Sequence, residues 1–320
     1  MTRILVTGAT GFVGRALVPQ LIASGIDVTV AVRLQGRGAP ELAGARAVAV
    51  GDIGGATDWR AALEGVDKVI HLAGVAHSGL KDSAEAEKHY ANVNVAGSAA
   101  LARHAATAGA RRLVFLSSVK VNGERTSLDK PFSEADAPAP EDVYGRSKWQ
   151  AERTLADIGR ETGLEIAVLR SPLVHGPGVR GNLRSLLALC DTPLPLPFGG
   201  LTENRRSLVA RDNLADVLQL CAEHPAAAGE TFLIRDGEDL STAALVALLR
   251  SALGRPARLG KVPPGLLSIL GRLTGRRGLT ERLTGSLRVD DAKLRRQLGW
   301  SPRIAVQSGL QSMVEAYRNL

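Results

Sequence analysis

A glycine-rich turn near the N-terminus constrains this chain more than any other stretch. Arg3 to Thr7 read as a short buried strand, and Gly8-Ala-Thr-Gly11-Phe-Val-Gly14 leads from it into a helix through about Ser24. Glycine permits the tight turn and lets the backbone approach a pyrophosphate, whose charge then meets the free N–H groups of the helix start. Gly8, Thr10, Gly11, Phe12, Val13 and Gly14 are therefore candidate cofactor contacts. Further apolar runs follow at Val28–Val32, Ala45–Val50, Lys68–Leu72, Arg112–Ser117 and Glu165–Leu169. Helical patterns separate them, notably at Trp59–Leu63, Glu87–Ala108 and Tyr144–Thr162. Continuous apolar strands alternating with helices indicate a parallel sheet covered on both faces. The expected fold class is α/β, a doubly wound parallel sheet (Rossmann fold) with a smaller C-terminal cap for substrate.

From Ser171 the pattern loosens, with Pro172, Pro177, Pro193, Pro195 and Pro197 marking loops. A helix near Asp212–Glu223 and a strand near Thr231–Ile234 are expected to return to the main sheet. The dinucleotide-binding domain is thus expected over 1–170, rejoined by about 211–235. The substrate-binding part is expected over 171–210 and 236–320, closing with a helix from Val306 to Asn319.

A net charge of +8 favours anionic partners, but the basic residues are scattered and aromatics are only 3%, which disfavours nucleic acid and favours phosphate-bearing small molecules. Cys190 and Cys221 have no ligand or disulfide spacing and read as small buried apolar residues. His71, His77, His89, His104, His175 and His224 form no metal grouping; His71 closes a strand as a packed residue, and His175 is a candidate pocket residue. No apolar run reaches the ~18 residues of a spanning helix, so no transmembrane segment and a cytoplasmic location are expected. Leu266–Leu273 with Arg276 and Arg277 has an amphipathic, basic character; packing on its own domain is the expectation, and a peripheral membrane contact the alternative. Glu124, Asp129, Glu134 and Asp136 read as a solvated acidic loop.

Tyr144 and Lys148 stand four residues apart, on one face of a helix. A nearby ammonium favours phenolate, so the pair can exchange a proton near neutral pH. Ser118, at the end of a strand-like run, adds a hydroxyl able to stabilise charge developing on a carbonyl oxygen. With a nicotinamide as hydride source, the three suffice for carbonyl–alcohol interconversion. NAD sites usually carry a carboxylate at the end of the second strand, about 20 residues past the glycines. Here Arg33 stands there, while Asp27 lies at the wrong end and Glu41 well beyond it. Arg33 matches a 2′-phosphate, so NADP is expected, with NAD as the alternative. Asp52 is a candidate for the adenine edge, or else a turn-forming residue.

Several motifs resemble the extended short-chain dehydrogenase/reductase family, the nucleotide-sugar epimerases, dehydratases and reductases. They are Thr7-Gly-Ala-Thr-Gly-Phe-Val-Gly14, His71-Leu-Ala-Gly74, Asn94-Val-Ala-Gly97, Ser117-Ser118, Tyr144-Gly-Arg-Ser-Lys148 and Arg170-Ser-Pro-Leu-Val-His-Gly-Pro177. Arg205-Arg-Ser-Leu-Val-Ala-Arg-Asp212 and Leu298-Gly-Trp-Ser-Pro302 extend the resemblance over nearly the whole chain. It implies Ser118, Tyr144 and Lys148 as the catalytic set, with Lys148 holding the nicotinamide ribose and depressing the tyrosine pKa. It further implies cofactor contacts at Ile53, Leu72, Ala73, Gly74 and Asn94, and substrate contacts at Ser118, Tyr144, Asn182 and Arg206, the last on the sugar nucleotide's diphosphate. Ser171, His175 and Asn122 depart from the family's usual Pro, Tyr and Tyr.

The family's dehydratases carry an Asp-Glu pair just after the catalytic Ser/Thr, where this chain has Val119-Lys120, so dehydration is excluded. A 4-ketoreductase uses exchangeable NADPH, and Arg33 tilts the expectation toward reduction; the resemblance to the family's bacterial surface-polysaccharide subgroup implies a UDP-4-keto-6-deoxy-N-acetylhexosamine as its substrate. The alternative is a UDP-hexose 4-epimerase acting on UDP-glucose or UDP-N-acetylglucosamine. A non-catalytic NADP sensor is disfavoured because Tyr144 and Lys148 are both present. A homodimer is common in the family.

Overall fold

The protein is described as a computed structural model covering residues 2–33, 42–76, 83–273 and 277–319. Glu41, His77 and Arg276 lie outside the described residues. In chain order the main elements begin β1 (Arg3–Thr7), α1 (Gly14–Ala23), β2 (Asp27–Val32), β3 (Arg46–Ala49), β4 (Lys68–His71), α2 (Ala84–Tyr90) and α3 (Gly97–Thr107). Next come β5 (Arg112–Ser118), α4 (Val143–Thr162), β6 (Glu165–Ser171), β7 (Leu173–His175), α5 (Gly181–Cys190), β8 (Leu208–Ala210) and α6 (Arg211–Glu223). The chain closes with β9 (Thr231–Leu233), α7 (Thr242–Ala252), α8 (Pro264–Leu273), α9 (Arg277–Thr284), α10 (Ala292–Leu298) and α11 (Val306–Arg318).

Seven parallel strands form one sheet in the order β3-β2-β1-β4-β5-β6-β9. The winding reverses between β1 and β4, which opens a crevice at their carboxyl ends. Alternate side chains of each strand feed different cores. Ile4, Val6, Ile70, Val114 and Leu169 pack with α1 and α6 on one face. Leu5, Val69, Leu113, Phe115 and Val168 pack with α3 and α4 on the other. A third core joins α5, α7 and α11 beyond the sheet. No helix among the described residues is long and apolar enough to cross a membrane.

Two local expectations are corrected. Trp59–Leu63 forms a turn rather than a helix, with the Leu63 N–H shared between the carbonyls of Trp59 and Arg60. Gly65, at φ +67°, turns the chain into β4 too soon for a helix to repay its nucleation cost. The long helix at Glu87–Ala108 is broken by a π-helical segment, Ala91–Ala96, between α2 and α3. Such segments often mark functional positions, and this one carries Asn94.

Candidate active site

The glycine turn sits at the carboxyl end of β1, beside the segment that leaves β4. A Cβ on Gly8 would lie 2.7 Å from the Ala73 nitrogen, and one on Gly14 2.5 Å from the Gly8 carbonyl oxygen, so neither position admits a larger residue. No side chain caps the start of α1, and its first turn holds no acidic residue. That leaves an uncapped positive helix end beside a glycine cradle, a donor set that fits a dinucleotide pyrophosphate.

Asn94 is buried and wholly engaged. Its Oδ1 accepts from the Val75 N–H at 2.8 Å, while its Nδ2 donates to the Val75 carbonyl at 3.1 Å and to Ser147 Oγ at 2.9 Å. It therefore pins the Leu72–Val75 segment to α4. His71 is packed as expected, between Thr7 Oγ1 (2.6 Å) and Ser98 Oγ (2.9 Å), and burial pushes its pKa down to about 3. His175 is not a pocket residue. It is fully buried, bonded to Asp236 Oδ2 at 2.8 Å, because β7 enters the core beneath α11.

Ser118 ends β5 in extended geometry and caps the short 3-10 turn Val119–Val121. Tyr144 enters from α4, whose first turn is capped by Asp142 through the Gly145 N–H at 2.7 Å. A Cβ on Gly145 would lie 2.8 Å from the Lys120 carbonyl oxygen, so only glycine lets α4 come this close to the Val119–Val121 turn. The Ser118 hydroxyl thereby reaches the Tyr144 phenol. Lys120 is locked between Glu124 (2.7 Å) and Asp142, a structural role consistent with the exclusion of dehydration.

The downward shift expected for the Tyr144 phenol does not appear. Burial pushes the Tyr144 phenol up to about 12, and the neighbour that opposes this is Ser118. The Lys148 ammonium instead donates to the Leu116 carbonyl at 3.0 Å and lies 4.4 Å from the centre of the Phe115 ring. Burial lowers its own pKa to about 8, against an opposing pull from Glu152. It stands beside Gly74, where a Cβ would be 3.3 Å from Nζ, facing the segment that leaves β4. The spacing put the two groups on one face but could not show where the lysine tip finds its partner.

Glu152, one further four-residue step along α4, was missed by sequence reasoning, although that repeat could have found it. Its carboxylate accepts from Ser117 Oγ and, through several bonds, from Arg170. Arg170 also reaches Asn122 Oδ1 at 3.1 Å. This buried network lies directly behind the Ser118–Lys148 wall.

Outside that core, Arg33 pairs with Asp52 at 3.2 Å, both highly exposed. Ile53 is half-buried beside them. Asn182 is exposed in the first turn of α5. Arg206 Nη1 donates to the carbonyls of Arg282 (2.6 Å) and Gly285 (3.2 Å), which ties it to the carboxyl end of α9. Its Nε and Nη2 have no protein partner among the described residues.

Residues 4–234 match the family described as "NAD dependent epimerase/dehydratase family". The chain belongs to that family. It is an enzyme of the extended short-chain dehydrogenase/reductase class. It is 41% identical over 317 residues to the UDP-glucose 4-epimerase of Vibrio cholerae, covering 98% of this chain and 95% of that one. Among solved structures it resembles the UDP-glucose 4-epimerase of Thermotoga maritima, solved with UDP-glucose: TM-score 0.79, 26% identity, 99% of each chain. It also resembles MoeE5, solved with UDP-glucose and NAD: TM-score 0.77, 25% identity, 99% of each chain.

Proposed function

We propose that this enzyme is a UDP-sugar 4-epimerase that retains NAD through the reaction. The observation that carries the reading is the similarity to the Vibrio cholerae UDP-glucose 4-epimerase along nearly the full length of both chains. Bound nicotinamide supplies the acceptor and donor of hydride. The glycine turn, the Leu72–Gly74 segment and Lys148 would hold it. Tyr144 takes the proton from the sugar's 4-hydroxyl and later returns it, while the Ser118 hydroxyl bonds the same oxygen. Asn182 and Arg206 receive the nucleotide diphosphate.

The Arg33–Asp52 pair supports NAD over NADP. Asp52 offsets the guanidinium on which the NADP expectation rests, and its carboxylate would repel a 2′-phosphate brought to Arg33. A 4-ketoreductase remains the second reading, favoured by the placement of Arg33 itself at the end of β2. Incubation with UDP-glucose and with UDP-N-acetylglucosamine, without reduced cofactor, separates the two. Interconversion with the 4-epimer supports the proposal. No interconversion, together with stoichiometric NADPH consumption on a UDP-4-keto-6-deoxy-N-acetylhexosamine, replaces it by the reductase.

A further inference from the structure

Glu124 follows shortly after Ser118, in a stretch whose sequence suggests a solvated acidic loop. The fold draws it inward, and its side chain is only 20% exposed. Oε1 accepts from Lys120 Nζ at 2.7 Å, and Oε2 lies 3.9 Å from Arg282 Nε near the end of α9. The next residue, Arg125, pairs with Glu281 at 2.9 Å. An acid and a base side by side on the loop thus face a base and an acid side by side on α9.

This clamp joins two parts of the site. On one side, Arg206 Nη1 donates to the carbonyl of the same Arg282 at 2.6 Å, so the arginine proposed for the diphosphate moves with α9. On the other, Lys120 also bonds Asp142, whose Oδ1 accepts from the Gly145 N–H at 2.7 Å and caps the helix that presents Tyr144. The Lys120 N–H donates to Ser118 Oγ at 3.3 Å. One carboxylate therefore connects the nucleotide end of the site to the residues of the reacting end.

A single sugar nucleotide must meet both ends at once. Its diphosphate and its carbon-4 oxygen are joined covalently, so the distance between Arg206 and Tyr144 decides whether that oxygen reaches the phenol. A misplacement of about 1 Å costs about 100-fold in rate. Arg206 precedes β8 and Tyr144 opens α4, so no local geometry sets the distance. We propose that Glu124 is a positioning residue for the reaction, reinforced by the Arg125–Glu281 pair, and holds Arg206 in register with Tyr144. This role rests on those proposed for Arg206 and Tyr144. Arg125 and Arg282 are 57% and 47% exposed, and exposed ion pairs hold weakly, so the clamp sets register rather than stability.

Steady-state kinetics on UDP-glucose, with calorimetric titration of UDP and of NAD, test this in the full chain. Glu124→Gln and Arg125→Glu are each expected to lower kcat about tenfold or more, with UDP and NAD affinities within about threefold of the parent's. The melting temperature is expected to stay in place. The Arg125→Glu/Glu281→Arg double variant, which restores opposite charges across the clamp, is expected to recover most of the lost rate. Parental kcat in both single variants, a double variant no faster than Arg125→Glu, or a loss of rate matched by a loss of melting temperature overturns the role. A parent protein that interconverts UDP-glucose and its 4-epimer, with variants at parental rates, defeats this role alone. A parent that instead only reduces the UDP-4-keto-6-deoxy-N-acetylhexosamine defeats the epimerase reading, and the same variants then decide the role on that reduction. Inertness in both reactions overturns both.

Discussion

Glu152 and Arg170 form a buried ion pair, with Arg170 Nη2 2.6 Å from Glu152 Oε2 and each side chain only 5% exposed. The carboxylate also receives the hydroxyl of Ser117, the residue before Ser118, and raises the pKa of Lys148 one helical turn away. One group thus supports both the strand end that carries the serine and the charge of the lysine.

Breaking this pair leaves a buried guanidinium uncompensated. Glu152→Ala is predicted to lose about 3–5 kcal/mol of stability, read by urea unfolding. Glu152→Gln keeps the shape and separates packing from electrostatics. Cofactor affinity in the parent protein is predicted to weaken as pH rises through about 8, where Lys148 loses its proton. In Glu152→Gln that midpoint falls, because the carboxylate that favours the ammonium is gone. A midpoint that stays in place would assign Glu152 a packing role only.

The buried lysine and tyrosine also set opposite stability trends. Lys148 ordinarily titrates at 10.5 and here at about 8, so the unfolded chain binds more protons between those values and stability rises with pH across them. Tyr144 ordinarily titrates at 10.0 and here at about 12, so the folded chain holds the extra proton and stability falls across that window. Lys148→Met is predicted to abolish the rise and to leave the Tyr144 titration, followed by phenolate absorbance in the cofactor-free protein, in place. A shifted Tyr144 titration would restore the direct electrostatic coupling that the helix spacing suggests.

Tyr144→Phe removes the proposed proton carrier and is predicted to leave the fold intact. Turnover is predicted to fall about 100- to 10,000-fold with the melting temperature unchanged. A comparable melting shift would instead show that the phenol is structural.

Where the cofactor's adenosine end is proposed to lie, Asp52→Asn frees Arg33. The ratio of NADP to NAD affinity is predicted to rise by up to about fivefold, the scale of an exposed ion pair. Arg33→Ala moves it the other way. An unmoved ratio in both variants would remove the pair from cofactor selection.

The glycine turn and the apolar strand runs made the sheet readable because each carries a local signal with a fixed period. Trp59–Leu63 misled because a single apolar turn has the same pattern whether or not a helix continues. β7 and β8, three residues each, are too short to show alternation and exist through pairing with each other. At the candidate site, the approach of Ser118 to Tyr144 and the placing of Tyr144 and Lys148 on one helix were legible from spacing and strand position. The arrangement around them was not. Lys148 chooses the Leu116 carbonyl, Asn94 is spent on Val75 and Ser147, and Arg33 meets Asp52 from another strand end, all long-range pairings that no local pattern encodes.

The most direct measurement is isotopic. UDP-glucose deuterated at carbon 4 is incubated with the enzyme and NAD in ordinary water, and the product is read by NMR. The epimerase account predicts UDP-galactose that retains deuterium at carbon 4, with no free NADH released. Loss of the label from carbon 4, or product formed only as NADPH is consumed, would contradict it.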